Sequence, residues 1–277
     1  MKHDDVSIII QGPISEITLF ALSNYSKYAE VILSFSFSST ETNLFKNFFG
    51  SKFKIVTYKE SEILQAKKNL NNGNEAYQFY STKIAAEASN KKFCIKTRSD
   101  EYYENIDYFI NYLKNNENLV VTNNVFFRRF EYWRFHPSDH IFASKTELMK
   151  NAFKILWDSV LIKDKNERYE KYKYYYALKK DKDWHSPIPY GWIAPEQYIA
   201  ISYINAIKIK LNITEDEIFN DDKFFKKWFR MINVSDLKPY KISYNSNKNG
   251  HLKYWINNYT PDIKYDQAND FIINKMI

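Results

Sequence analysis

"FCIKTRSDEYYEN", residues 93–105, runs from three apolar residues into a dense polar cluster. Phe93, Cys94 and Ile95 suit a buried strand, while Lys96, Arg98, Asp100 and Glu101 crowd the positions just beyond. Alternation along an extended chain places Lys96, Arg98 and Asp100 on one side. The neighbouring stretches repeat the apolar part. "VSIII" (6–10), "EVILSF" (30–35), "KIVTY" (54–58) and "LVVT" (119–122) read as further strands. Between them, 15–28, 40–49, the face Tyr77, Tyr80, Ile84 and Ala88, and 104–115 read as helices. Short β-branched strands alternating with helices predict an α/β fold: a Rossmann-like mixed, mainly parallel sheet with helices on both faces. Ligands of such sheets bind at the carboxyl ends of the strands. Two segments sit at such ends: the Gln11-Gly12-Pro13 loop after the first strand, and the Arg98-Ser99-Asp100 cluster.

Composition narrows the class. The chain has 277 residues, 44% hydrophobic and 26% charged, which sustains a packed core and argues against disorder. Its net charge of +7 favours anionic partners such as nucleotides or phospholipid head groups. No RNA- or DNA-binding signature accompanies that charge, so nucleic acid is not an expected partner. Cys94 is the single cysteine, which excludes an internal disulfide and fits a reducing compartment. The opening "MKHDDVSIII" sets two aspartates before a brief apolar run, too short and too acidic for a signal peptide. The expectation is a cytoplasmic protein, soluble or resting on the inner face of the cytoplasmic membrane.

After residue 145 the pattern turns helical, with helices expected at 145–162, 165–180, 195–209 and 221–230. No Pro/Gly/Ser linker divides the chain. Residues 1–205 are read as the ligand-binding and catalytic unit, and 206–277 as a helical or irregular extension packed on it.

If the strand-end cluster holds a nucleoside diphosphate, Lys96 acts as a point charge on phosphate and Arg98 as a two-pronged donor. Asp100 then binds a divalent cation bridging the phosphates, or sugar hydroxyls. The bland alternative is a surface ion-pair cluster with Asp100 or Asn105 capping the next helix.

Four blocks carry a family resemblance: "VSIIIQGPI" (6–14), "NEAYQFYSTKIAAEASNKKFCIKTRSDEYYEN" (74–105), "SDHIFASKTELMKNAF" (138–153) and "APEQYIA" (194–200). In this order they resemble the WavE lipopolysaccharide-synthesis family, whose layout is similar to GT-A-fold glycosyltransferases. The resemblance implies a GT-A-like fold and a bacterial enzyme using a nucleotide-sugar donor. It implies that Gln11, Gly12 and Pro13 line the nucleotide pocket and that Gln78, Ser81 and Thr82 face the donor. It also implies that Lys96, Arg98, Ser99 and Asp100 surround the diphosphate. One departure matters. GT-A enzymes carry two aspartates one residue apart, and Arg98 stands in the first place. A cofactor cation, Mg or Mn, is therefore held by Asp100 with help from Glu101 or Asp139, or Arg98 partly replaces it.

Asp139 and His140 head another apolar strand in "FHPSDHIFAS" (135–144). Asp139 is read as orienting the donor sugar or metal, and His140 or His136 as bonding a phosphate or hydroxyl; a plain turn is the competing reading. In "WHSPIPYGWIAPEQYIA" (184–200), Trp184, Tyr190 and Trp192 suit stacking on an acceptor sugar, and Pro195 suits a first helical position. Glu196 follows as the candidate general base, with Asp139 second. A first-turn acid stabilised by the helix dipole is its bland alternative. The basic, tyrosine-rich "ERYEKYKYYYALKK" (167–180) is read as packing on the protein or as a peripheral contact with anionic membrane.

These readings favour a glycosyltransferase, inverting through a carboxylate base, that builds lipopolysaccharide, capsule or another surface glycan. The expected partners are the donor and a glycan or lipid-linked glycan acceptor. A sugar nucleotidyltransferase ranks second, because "QGPISEI" (11–17) lacks the glycines and cations of a triphosphate loop. A non-catalytic glycan- or nucleic-acid-binding protein ranks last.

Overall fold

The run Val6–Ile10 is buried on both sides, as an inner strand of an α/β sheet must be. The computed structural model describes residues 2–14, 16–36, 53–70, 73–123, 137–164, 166–167, 195–213, 227–232 and 234–242. The chain opens with β1 (Val6–Gln11), α1 (Glu16–Tyr25), β2 (Glu30–Ser36) and β3 (Lys54–Tyr58). A one-turn 3-10 helix (Glu60–Glu62), α2 (Leu64–Asn69) and α3 (Gly73–Ala88) lead to β4 (Phe93–Arg98) and β5 (Glu101–Tyr103). Then come α4 (Ile106–Asn115), β6 (Val120–Asn123), β7 (Phe142–Lys145), α5 (Thr146–Val160) and α6 (Pro195–Leu211). The described chain closes with β8 (Phe229–Ile232), a 3-10 turn (Val234–Leu237) and β9 (Pro239–Ile242).

Seven strands form one sheet in the order β3-β2-β1-β4-β7-β6-β8. Every pairing in the run from β3 to β4 is parallel, and so is β6 with β8. Strand β7 runs antiparallel to both β4 and β6. The expected mixed, mainly parallel sheet flanked by helices is therefore what the chain forms. The reversal of β7 decides where the site lies, since its entry end shares a rim with the exit ends of β1 and β4.

Two apolar layers cover the sheet. Val6, Ile8, Ile10, Phe93 and Ile95 pack with α1 and α4 on one face. Ile9, Ile32 and Cys94 pack with α3, α5 and α6 on the other. Alternation in β4 then sends Lys96 and Arg98 toward the second layer, after Cys94. Hydroxyls fasten α3 to the sheet: Ser34 Oγ donates to the Ser81 carbonyl at 2.8 Å, and Ser7 Oγ lies 2.8 Å from Ser89 Oγ.

Several elements differ from the sequence expectation. Helix α3 buries Ala76, Phe79, Ser81, Thr82, Ala85 and Ala86, whereas Tyr77, Tyr80 and Ile84 lie at its margin. Small residues let the helix approach the sheet, and the tyrosines reach outward to Glu60 and Glu62. The helix expected over 221–230 overlaps β8, where Phe229 and Met231 face one layer and Ile232 the other. A four-residue edge strand is too short to show its period in sequence. Strand β5 pairs with β9 in a separate two-stranded sheet that the sequence did not announce. Residue 205 lies inside α6, and β8 joins the main sheet beyond it. The expected helix 40–49 and most of 165–180 fall outside the described residues. Among the described residues, no helix is long and apolar enough to cross a membrane.

Candidate active site

The rim begins where β1 and β4 end. Gln11 is paired with Arg98 in the parallel register, and Gly12 follows with φ of 126°. A β-carbon on Gly12 would meet Ser99 Oγ at 2.5 Å, so both the dihedral and the packing require glycine here. Ser99 is a joint between the two loops. Its N–H donates to the Gln11 carbonyl at 2.9 Å, and its carbonyl accepts from Thr18 Oγ1 at 2.8 Å. Gln11 is buried at the rim, whereas Pro13 is exposed.

Lys96 is fully buried, an unusual state for lysine. Its ammonium donates to the Asp139 carbonyl and lies 5.2 Å from the centre of the Phe142 ring. Burial pulls its pKa down to about 8, against the opposing pull of the Asp139 carboxylate. Asp139 is itself buried, and Gln78 Nε2 donates to its Oδ2 at 2.7 Å. Burial favours its neutral form, but the charges of Lys96, His140 and Arg98 and the Gln78 amide hold it ionised, with a pKa of about 2.

Arg98 divides its guanidinium between two carboxylates. Nε and a terminal nitrogen each stand 3.0 Å from Asp100, one to each oxygen. Nε also stands 3.2 Å from Glu101 Oε1. Glu101 is fully buried and accepts from Tyr103 Oη at 2.8 Å and pairs with His140 Nδ1. Against the cost of burial, His140, Arg98 and Tyr103 hold the Glu101 carboxyl below its ordinary pKa. Asn123, at the end of β6, donates to Tyr103 Oη at 3.4 Å and completes this buried row.

One carboxyl lacks such support. Glu75, one helical turn before Gln78 on α3, is 4% exposed and makes no hydrogen bond or ion pair with a described residue. Burial, with the Asp139 charge adding to it, raises its pKa to about 8. Glu75 and Asp139 are thus two neighbouring acids driven to opposite protonation states, a pattern typical of acid–base sites.

The structure brings Gln11, Gly12, Gln78, Lys96, Arg98, Ser99, Asp100, Asp139 and His140 to one rim. Ser81 and Thr82 stand apart. Both are fully buried, and their hydroxyls donate to the Tyr77 and Gln78 carbonyls at 2.6 and 2.8 Å. Glu196 lies in the first turn of α6, half-buried, and two residues on Tyr198 packs edge-on against Phe79 of α3. His136, Trp184, Tyr190 and Trp192 lie outside the described residues.

A divalent cation finds a poor donor set here. Among the described residues, no three His, Cys, Asp or Glu side chains converge as metal ligands. The carboxylates offered to a cation are engaged otherwise: Asp100 by Arg98, Glu101 by Arg98, His140 and Tyr103, and Asp139 by Gln78.

Sequence reasoning did not place Glu75 or Tyr103 in the site, and it treated Glu101 only as an auxiliary metal ligand. Nothing in the sequence around Glu75, which closes the polar stretch "NLNNGNE" (69–75), marks it as a buried acid. The signal for Glu101 was its place immediately after Asp100, with Tyr103 two residues on.

No protein-family model matches this chain, and no curated protein matches it. Among solved structures, residues 1–349 of TarS from S. aureus align at 12% identity over 82% of this chain and 78% of that one, with a TM-score of 0.37. HddC from Yersinia pseudotuberculosis aligns at 13% identity over 53% of this chain and 79% of that one, with a TM-score of 0.34. A glycosyltransferase involved in glycosylation of the major capsid of PBCV-1 aligns at 16% identity over 61% and 75%, with a TM-score of 0.32.

Proposed function

We propose that this protein is a glycosyltransferase that moves a sugar from a nucleotide-sugar donor to a surface-glycan acceptor such as lipopolysaccharide or capsule. The observation that carries this reading is the buried Lys96 and the Arg98 fork, side by side at the carboxyl rim of the sheet. Cations held there by the fold suit a leaving group that gains negative charge as the bond to the sugar breaks. The acceptor hydroxyl forms a bond to the anomeric carbon. The old carbon–oxygen bond breaks, and its electron pair leaves with the phosphate.

The acceptor proton needs a base. Asp139, held near pKa 2, is a weak proton acceptor and suits orientation of the donor sugar. Glu196, half-buried at the start of α6, takes the proton in this reading, and the transfer inverts the anomeric centre.

The test is release of nucleoside diphosphate from a panel of sugar nucleotides, with and without chelator. Slow hydrolysis of one donor, retained in chelator, supports the reading. Release of pyrophosphate from a nucleoside triphosphate and a sugar phosphate would instead identify a nucleotidyltransferase.

A further inference from the structure

Resting on that reading, we propose that Asp100 competes with the donor's phosphate for the Arg98 fork and yields it when the donor binds, while Glu101 stays as the permanent anchor of Arg98. The two carboxylates touch the same guanidinium but differ in setting. Asp100 takes both prongs of the fork, at 3.0 Å each, from a turn at the mouth, and its side chain is 33% exposed. That two-pronged geometry is the one Arg offers to a phosphate. Glu101 meets Arg98 from the opposite situation. It is 0% exposed and already binds His140 and Tyr103, so releasing it would strand several buried polar groups.

A ligand oxyanion entering the rim therefore competes with Asp100 and not with Glu101. Lys96 stays in place beneath, bonded to the Asp139 backbone and making no hydrogen bond to Asp100, and adds its buried charge to the rim. The acid in the Arg98-Ser99-Asp100 sequence thereby lowers affinity and sharpens selection. A single carboxylate-sized anion gains little over Asp100, whereas a diphosphate meets Arg98 directly and carries more charge into the field of the buried Lys96.

The two acids should then act in opposite directions. Calorimetric titration with uridine, guanosine, cytidine and adenosine diphosphates in chelator finds the nucleotide that wild type binds. Asp100→Asn should bind that nucleotide about two- to fivefold more tightly, the range of one partly exposed ion pair. Glu101→Gln should bind it at least about tenfold more weakly, with no added loss in an Arg98→Ala background. If Glu101→Gln does not fold, Asp100→Asn and Asp100→Ala decide alone, since the Asp100 side chain is partly exposed. Weaker binding by both Asp100 variants overturns the inference and leaves the function standing. Absence of nucleotide binding by wild type and every variant overturns both.

Discussion

Replacing Glu75 with glutamine should stabilise the protein by an amount that grows with pH. Glu75 is 4% exposed, and its carboxyl pKa rises from 4.5 to about 8 through burial and the nearby Asp139 charge. Below pH 4.5 the folded and unfolded chains both keep the proton, and ionisation adds no penalty. Between 4.5 and about 8 the unfolded chain releases a proton that the folded chain retains, so stability falls as pH rises. Above about 8 both states are ionised and the loss is constant. At about 1.4 kcal/mol per pH unit, the loss reaches roughly 3 kcal/mol at pH 7 and about 5 kcal/mol at its plateau. Glutamine keeps the shape and polarity without a titrating proton. Urea denaturation of wild type and Glu75→Gln from pH 4.5 to 9 should give curves that coincide at the acid end and diverge through neutrality. A difference that is flat with pH, or a wild type more stable than the variant at pH 8, would refute the reasoning.

Three further outcomes follow from the rim. Glu196→Gln should leave nucleotide affinity unchanged and reduce transfer by about 10²–10⁴-fold; turnover near wild type removes Glu196 from the base role. Gly12→Ala should cost about 1–3 kcal/mol in chemical denaturation, because the new methyl meets Ser99 Oγ in a backbone region that disfavours side chains; an unchanged midpoint contradicts this. Nucleoside diphosphate affinity should fall as pH rises through about 8, where Lys96 loses its proton. That step should be missing in Lys96→Met; its persistence assigns the proton to another group.

The sheet was legible because its inner strands are apolar on both faces. Val6–Ile10 and Phe93–Ile95 have no competing interpretation at that length, and Gly12 and Pro13 mark where the first strand stops. Lys96 and Arg98 were legible for the same reason, since alternation from Cys94 fixes their side. Edge elements were not. Strand β8 is four residues long, too short for its alternation to stand out beside the helical pattern read over 221–230. The partners of Glu101 were hidden because His140 lies 39 positions away, and only the reversal of β7 brings it alongside. The burial of Ser81 and Thr82 was not legible either, because hydroxyls on a helix beside a rim look available. Here the helix's own carbonyls take them up.

The hydroxyl pins between α3 and the sheet bear on how the rim can adapt to a guest. Methyl and methylene surfaces slide past one another with little directional penalty, whereas the Ser34–Ser81 and Ser7–Ser89 bonds fix both height and rotation of the helix. Gln78 and Glu75 are therefore delivered at a set elevation above β1 and β2. Whatever enters the rim therefore meets α3 as a fixed wall, and any adjustment of fit has to come from elsewhere than this helix.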